Sequence, residues 1–422
     1  MNKKKAYAYY FVIILIMAIW DGIGVEIPMV VRVGFLALTY LPLFIWRELI
    51  PAVLVSTMTI AYNAFTYPLL PTSNYYYVIV LVLLAFSSRK AIFPSIVFIA
   101  SFLLVWWVDF LYQGRTSWVA TKLMMCLLVF ICVEGDGGKC NEHMPYAFMM
   151  VSVVLSYWIL FRDEARTLEI HVVEGFEESG GWTDPNYLSC IIVLGCIVAI
   201  NELLSRKGTM LKTVFCYTTI GLSVFALAYL ASRGAFVSLG VGILVMLLFS
   251  KSTRKSSKII FVVLILGLLV LMYTSDYFNI ISARFQSESM MTGTGRTIIW
   301  QAKLDAFFNE GGILNWIFGF GNEGGLGLGK TLFGRIRATH NDFVSALVEY
   351  GFIGLGLYIY VFFIAINHAP KENKISILAF VASYIAICMT LEPTFSDMPS
   401  SIVFVFFLFY ILMFSRPKRV LV

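Results

Sequence analysis

Charged side chains are scarce in this chain. Lys, Arg, Asp and Glu supply 13% of its 422 residues while 59% are hydrophobic, which leaves too little polar surface to coat a soluble globule. Histidine is rarer still, with four in the whole chain. The seven cysteines show no paired spacing: Cys126, Cys132, Cys190, Cys196, Cys216 and Cys388 fall inside apolar runs, and Cys140 stands in a short loop beside His143. Neither a disulfide framework nor a zinc site follows from that arrangement. A basic stripe with interleaved aromatics is missing outside the apolar runs, which speaks against nucleic acid as a partner. Internal repeats are not evident and no low-complexity linker divides the chain, so residues 1–422 are expected to form a single integral membrane domain.

What is present is apolar sequence in blocks, with a mean hydropathy of +0.84. Apolar runs at 8–21, 28–46, 49–66, 74–87, 91–111, 117–133, 145–161, 187–204, 212–231, 234–250, 258–274, 343–367, 375–391 and 400–415 predict an all-α fold, a polytopic transmembrane helical bundle of about 12–14 spans. Asn2-Lys3-Lys4-Lys5 followed by Tyr9 to Trp20 reads as an uncleaved first span. Counting from a cytoplasmic N-terminus puts Arg89-Lys90, Arg206-Lys207-Lys212, Lys251-Arg254-Lys255-Lys258, Lys371-Lys374 and Arg416-Lys418-Arg419 on one side, as positive loops require, and makes the C-terminus cytoplasmic as well. The acidic loop from Glu134 to His143 runs against that rule. The formal charge of +6 suits contact with the lipid bilayer and its anionic headgroups.

One outward-facing loop, 275–342, is long and rich in polar groups, where a chain of this composition would keep its loops short. Within it, Arg296 to Phe308 has Ile299, Trp300, Leu304, Phe307 and Phe308 at helical spacing. This predicts an interfacial helix with Lys303 and Asp305 turned away from the apolar face. The run Gly319 to Gly329 reads as turns or an unstructured lid. Gly324-Gly325-Leu326-Gly327-Leu328-Gly329-Lys330-Thr331 satisfies the spacing of a phosphate-binding loop, but that motif needs a preceding strand and a helix opening from it, and Phe333-Gly334-Arg335 breaks the helix.

Six basic positions invite a functional reading. Arg233, in Ser232-Arg233-Gly234, lies at the outer junction of two apolar runs. A guanidinium there can grip a diphosphate headgroup through two parallel hydrogen bonds; the alternative is a snorkelling helix end. Arg32 and Lys122 lie a short way into outward span ends and would extend the same basic pocket. Arg296 follows Gly293-Thr294-Gly295 at a helix start, where free N–H groups and the arginine together favour an anion. Arg335 reads as a solvated loop charge, while Arg337 is close enough to His340 to join the anion-binding set. His340 stands where the loop re-enters the membrane, and an imidazole can take a proton from a hydroxyl at neutral pH. A helix cap is the plainer role at that point, and Asn341 or Asp342 would suit it better than His340.

Four stretches resemble the O-antigen ligase and O-antigen polymerase superfamily of bacterial membrane glycosyltransferases. His340-Asn341, nine residues, Gly351, two residues and Gly354 fit that family's H-[NSQ]-x9-G-x-x-[GTY] pattern at every defined position. Arg233-Gly234 resembles its membrane-border arginine motif, although Gly240 and Gly242 do not keep the longer glycine spacing, so Arg233 alone carries over. GTGRTIIWQ around Arg296 resembles the second arginine region, and Gly181 to Tyr187 a stretch that precedes the middle spans. Together these cover residues 181–360.

The resemblance implies an inverting, metal-independent glycosyltransferase of C type in the bacterial inner membrane, working without cofactors. Its donor would be a glycan on undecaprenyl diphosphate. Arg233 and Arg296 would neutralise the departing diphosphate, His340 would position or deprotonate the acceptor hydroxyl, and Asn341 would support it. The leading expectation is a surface-polysaccharide polymerase joining one lipid-linked repeat to another. A ligase delivering the chain to lipid A core or to a protein shares the same donor site. A flippase for lipid-linked glycans is the reading from another class, and it would need charged residues near mid-membrane, broken helices and repeats. A polymerase would have a glycan acceptor, with a flippase and a chain-length regulator as protein partners.

Overall fold

The computed structural model describes residues 144–161, 185–204, 210–230, 232–249, 296–321, 339–367 and 373–390, with a few single positions besides. Every regular element among them is a helix. In chain order these are α1 (Met144–Phe161), α2 (Pro185–Leu204), α3 (Met210–Leu230), α4 (Arg233–Phe249), α5 (Arg296–Asn309), α6 (Ile313–Phe318), α7 (Asp342–Asn367) and α8 (Lys374–Thr390). Six of the fourteen apolar runs fall on described helices, and their ends agree within two residues. The other eight runs, apart from Val12, Pro28, Val30 and Val31, lie outside the described residues, as do both termini.

The helix α2 carries apolar or small side chains on all sides and is buried throughout from Leu188 to Ile200. A helix with no polar face has nowhere to sit but among other helices, and α1, α3, α4 and α8 all pack on it. Two helices, Met210–Leu230 and Asp342–Asn367, are long and apolar enough by length and composition to cross a membrane. With the apolar sequence as a whole, they mark a membrane protein. Inside such a bundle small hydroxyls replace the hydrophobic drive by bonding helices together. Ser152 Oγ donates to the carbonyl of Ile192 at 3.1 Å and pairs with Ser223 Oγ at 2.8 Å, tying α1 to α2 and α3. Ser383 Oγ donates to the Ser238 carbonyl at 2.8 Å, tying α8 to α4.

The two ends of this bundle differ. At one, Lys212 and Glu202 form an ion pair between α3 and α2, and Ser376 at the start of α8 bonds to Asn201. At the other end, about 24 Å away along α8 at 1.5 Å per residue, α8 finishes against the starts of α4 and α7 and against Arg296 of α5.

The helix α7 is not one rod. At Gly351 the backbone takes φ 67° and ψ −166°, a conformation open to glycine alone. The turn removes the carbonyls of Val348 and Glu349 from the helical ladder, and a buried carbonyl has to be satisfied elsewhere. Phe320 N and Gly321 N supply the bonds, at 2.9 and 2.8 Å. The stretch following α6 is therefore stitched to the kink, and Gly319 (φ 80°) and Gly351 let the two backbones meet; a Cβ at Gly351 would run into the Ile317 carbonyl and one at Gly319 into that of Glu349. Phe307 of α5 closes the assembly, packing with Leu347, Val348 and Phe320 and edge-on to Phe352.

Candidate functional site

Three of the sequence stretches singled out above come together at the last two residues of α8, Met389 and Thr390. A helix C-terminus leaves carbonyls without intrahelical donors and carries partial negative charge, so it attracts cations and N–H groups. Arg296 Nη1 donates to the Thr390 carbonyl at 2.6 Å. Asn341 Nδ2 reaches the Met389 carbonyl at 3.5 Å. Gly234 lies so close to Thr390 that a Cβ there would stand 2.6 Å from Oγ1. Thus α4 beginning at Arg233, α5 beginning at Arg296 and α7 beginning beside His340 share one corner.

Arg296 is half-buried at the first position of α5, as the sequence predicts. The guanidinium has five donors, and one of them is fixed on Thr390. Arg233 opens α4, with Ser232 buried ahead of it and the Ser232 carbonyl accepting from Phe236 N at 3.2 Å; of Arg233 itself the backbone alone is described. Arg32, Lys122 and Arg337 lie outside the described residues, as does the phosphate-loop lookalike at 324–331.

Asn341 does what a helix cap does. Its Oδ1 accepts from Phe343 N at 3.0 Å and Val344 N at 3.2 Å, satisfying two of the first donors of α7. This leaves His340 to another role. His340 has φ 52°, the one positive value on a non-glycine residue among those described. That left-handed backbone costs on the order of 1–3 kcal/mol and persists where the surroundings hold it. Burial pushes the imidazole pKa down to about 4, helped by the nearby charges of Arg296 and then Lys303, so the ring is neutral at any ordinary pH.

One expectation is overturned. Lys303 does not turn away from the apolar face of α5; it is 1% exposed, and its Nζ donates to Thr339 Oγ1 at 2.7 Å. Phe308, expected on the buried face, is 45% exposed. The inward face of α5 runs through Arg296, Trp300, Lys303 and Phe307, an i, i+4, i+7, i+11 stripe that meets Thr390 of α8, Thr339 and the first limb of α7. Trp300 Nε1 donates to the Thr339 carbonyl at 2.7 Å. Asp305 is exposed as expected. Thr339, Trp300, Lys303 and Thr390 are the residues that sequence reasoning missed. The stripe itself was a signal for two of them; nothing local marked Thr390.

Behind His340 the chain is anchored inside the bundle. The Tyr358 hydroxyl, one limb further along α7, donates to Asp342 Oδ2 at 2.6 Å and lies 3.2 Å from Cys388 Sγ. Phe343, Tyr358, Phe362 and Tyr384 pack edge-on or tilted against one another along the seam of α7 and α8. The strained histidine is thus carried on a helix start that is fastened at Asn341, Asp342 and the Gly351 kink.

A corner that collects two arginine-bearing helix starts and a neutral imidazole suits an anionic leaving group and a hydroxyl acceptor. Residues 218–359 match the O-antigen ligase family. The O-antigen ligase match runs from within α3 to within α7 and so contains Arg233, Arg296, His340 and the kink at Gly351. Met389 and Thr390, on which the three stretches converge, lie beyond it. Comparison with curated proteins and with solved structures returned no match. The O-antigen ligase family supports membrane glycosyl transfer of the ligase or polymerase type, with lipid-linked glycans as substrates.

Proposed function

We propose that this chain is a surface-polysaccharide polymerase of the bacterial inner membrane. It would transfer a glycan from an undecaprenyl-diphosphate donor to a sugar hydroxyl of an acceptor repeat. The observation that carries this reading is the convergence at Thr390 of the helix starts bearing Arg233 and Arg296, with His340 held neutral beside them.

In the proposed reaction the acceptor oxygen attacks the anomeric carbon on the face opposite the diphosphate. The new C–O bond forms as the anomeric C–O bond to phosphate breaks, so the configuration inverts and the electron pair leaves on the diphosphate. Arg296 and Arg233 stabilise the charge that builds there, which places their effect in the transition state. His340 accepts the hydroxyl hydrogen bond, takes the proton as the new bond completes, and passes it to water. Its low basicity makes orientation of the hydroxyl the larger part of its role. The arginines supply the countercharge without a divalent ion.

The second reading is a ligase that moves the finished chain to lipid A core, favoured by the family that residues 218–359 match. Deleting the gene and analysing both glycan pools separates the two. Single repeats mounted on the acceptor mean a lost polymerase; long chains stranded on the lipid diphosphate mean a lost ligase. Purified protein that moves donor between leaflets without forming a glycosidic bond would sink both.

A further inference from the structure

The ammonium of Lys303 is buried to within 1% of complete enclosure. Burying such a group costs several kcal/mol unless it is paired and bonded, and a methionine would fill the same space without that cost. The Lys303 ammonium is bonded to Thr339 Oγ1 at 2.7 Å, while Trp300, one helical turn earlier, takes the Thr339 carbonyl at 2.7 Å. Thr339 is therefore gripped by side chain and by backbone from one face of α5.

The next residue is the strained one. A backbone at φ 52° relaxes unless both neighbours are fixed. On the far side Asn341 is fixed by its capping bonds and by Met389. On the near side the grip of Trp300 and Lys303 on Thr339 does the same. We propose that Lys303 is a positioning residue for His340, and that α5 acts as a ruler between the two halves of the site. Arg296 and Lys303 stand two turns apart on one face, with about 10 Å of helix axis between the Cα atoms of these two residues, so a single rigid helix sets the spacing between the Arg296 guanidinium and the His340 imidazole. The functional consequence rests on the glycosyl-transfer reading; the link from Lys303 through Thr339 to His340 rests on geometry alone.

The test uses the full chain in lipid nanodiscs, with Lys303→Met, Thr339→Val, Thr339→Ser and the Lys303→Met/Thr339→Val double variant. Carbethoxylation of His340 by diethyl pyrocarbonate is followed by peptide mass spectrometry, with the other three histidines as internal references. Lys303→Met and Thr339→Val are each expected to change the His340 rate several-fold, on the order of 3–10, while the references stay constant. Transfer kinetics should show kcat falling about tenfold or more with the donor KM within about twofold, the pattern of lost orientation and not of lost binding. Thr339→Ser keeps the hydroxyl and should behave as wild type, and the double variant should be no worse than the worse single one, because both break one link. Unchanged His340 reactivity in Lys303→Met and Thr339→Val overturns the proposal, as do losses that multiply in the double variant. If Lys303→Met does not fold, Thr339→Val against Thr339→Ser decides alone. A wild-type protein that forms no glycosidic bond removes the glycosyl-transfer reading, and the modification arm still decides the link.

Discussion

The Arg296 guanidinium donates to the carbonyl of Thr390 at 2.6 Å across 94 residues of sequence. The bond fixes one edge of the guanidinium plane on the end of a helix whose dipole already favours a cation there. It also ties the start of α5 to a residue that Gly234 touches from α4. Replacing Arg296 with alanine is expected to abolish transfer with the protein still inserted. Replacing it with lysine keeps the charge and loses the planar fork, and should lower kcat by about ten- to hundredfold. Steady-state transfer with a lipid-diphosphate donor checks both. Wild-type-like product from either variant removes Arg296 from the diphosphate site.

His340 offers a way to separate backbone strain from chemistry. Asparagine tolerates the left-handed conformation, so His340→Asn should keep the fold and lose at least about a hundredfold in transfer, the lower range for a positioned acid–base group. His340→Gly relieves the strained backbone outright and should melt no lower than wild type while being equally inactive. Thermal melting beside product analysis distinguishes the two effects.

The pH dependence follows from the depressed pKa. The unfolded chain binds a proton on this histidine near 6.5 and the folded chain near 4. Between those values the unfolded state holds more protons, so the contribution of this group to stability rises with pH across the window and is lost as pH falls through it. Catalytically the imidazole is neutral above about 4. A kcat/KM profile should therefore show no His340 limb between pH 6 and 7. An acidic limb centred there, and absent from His340→Asn, contradicts the assignment.

Gly351→Ala tests the kink. The new methyl group meets the Ile317 carbonyl, and alanine pays for a positive φ as well. A loss of roughly 1–3 kcal/mol or more is expected from the backbone alone. The first limb of α7 carries His340 at its start, so transfer should fall together with the melting temperature.

Gly234→Ala pushes into Thr390, whose Oγ1 would be 2.6 Å from the added carbon. Activity should drop because the corner that holds Arg296 opens. Adding Thr390→Ala removes that oxygen and should restore part of the loss, since residues in contact do not behave additively. A double-mutant cycle on transfer rates reads the coupling.

Membrane character, the six helices that fall on described apolar runs, the start of α5 at Arg296 and a family motif that a family match over 218–359 supports were all legible along the chain. Each depends on composition, periodicity or local spacing, which a linear pattern carries in full. The motif did not say why Gly351 has to be glycine; the backbone conformation at the kink and the carbonyls handed to Phe320 and Gly321 do. Periodicity turned Lys303 outward because a hydropathy pattern scores a lysine as solvated, whatever it meets. Only the fold set Thr339 within 2.7 Å of that ammonium. Likewise Thr390 is an ordinary helix-end threonine until two helix starts distant in sequence arrive at it and a third reaches its neighbour Met389. Which polar group is buried and satisfied depends on partners supplied by other elements, and those partners exist only in three dimensions.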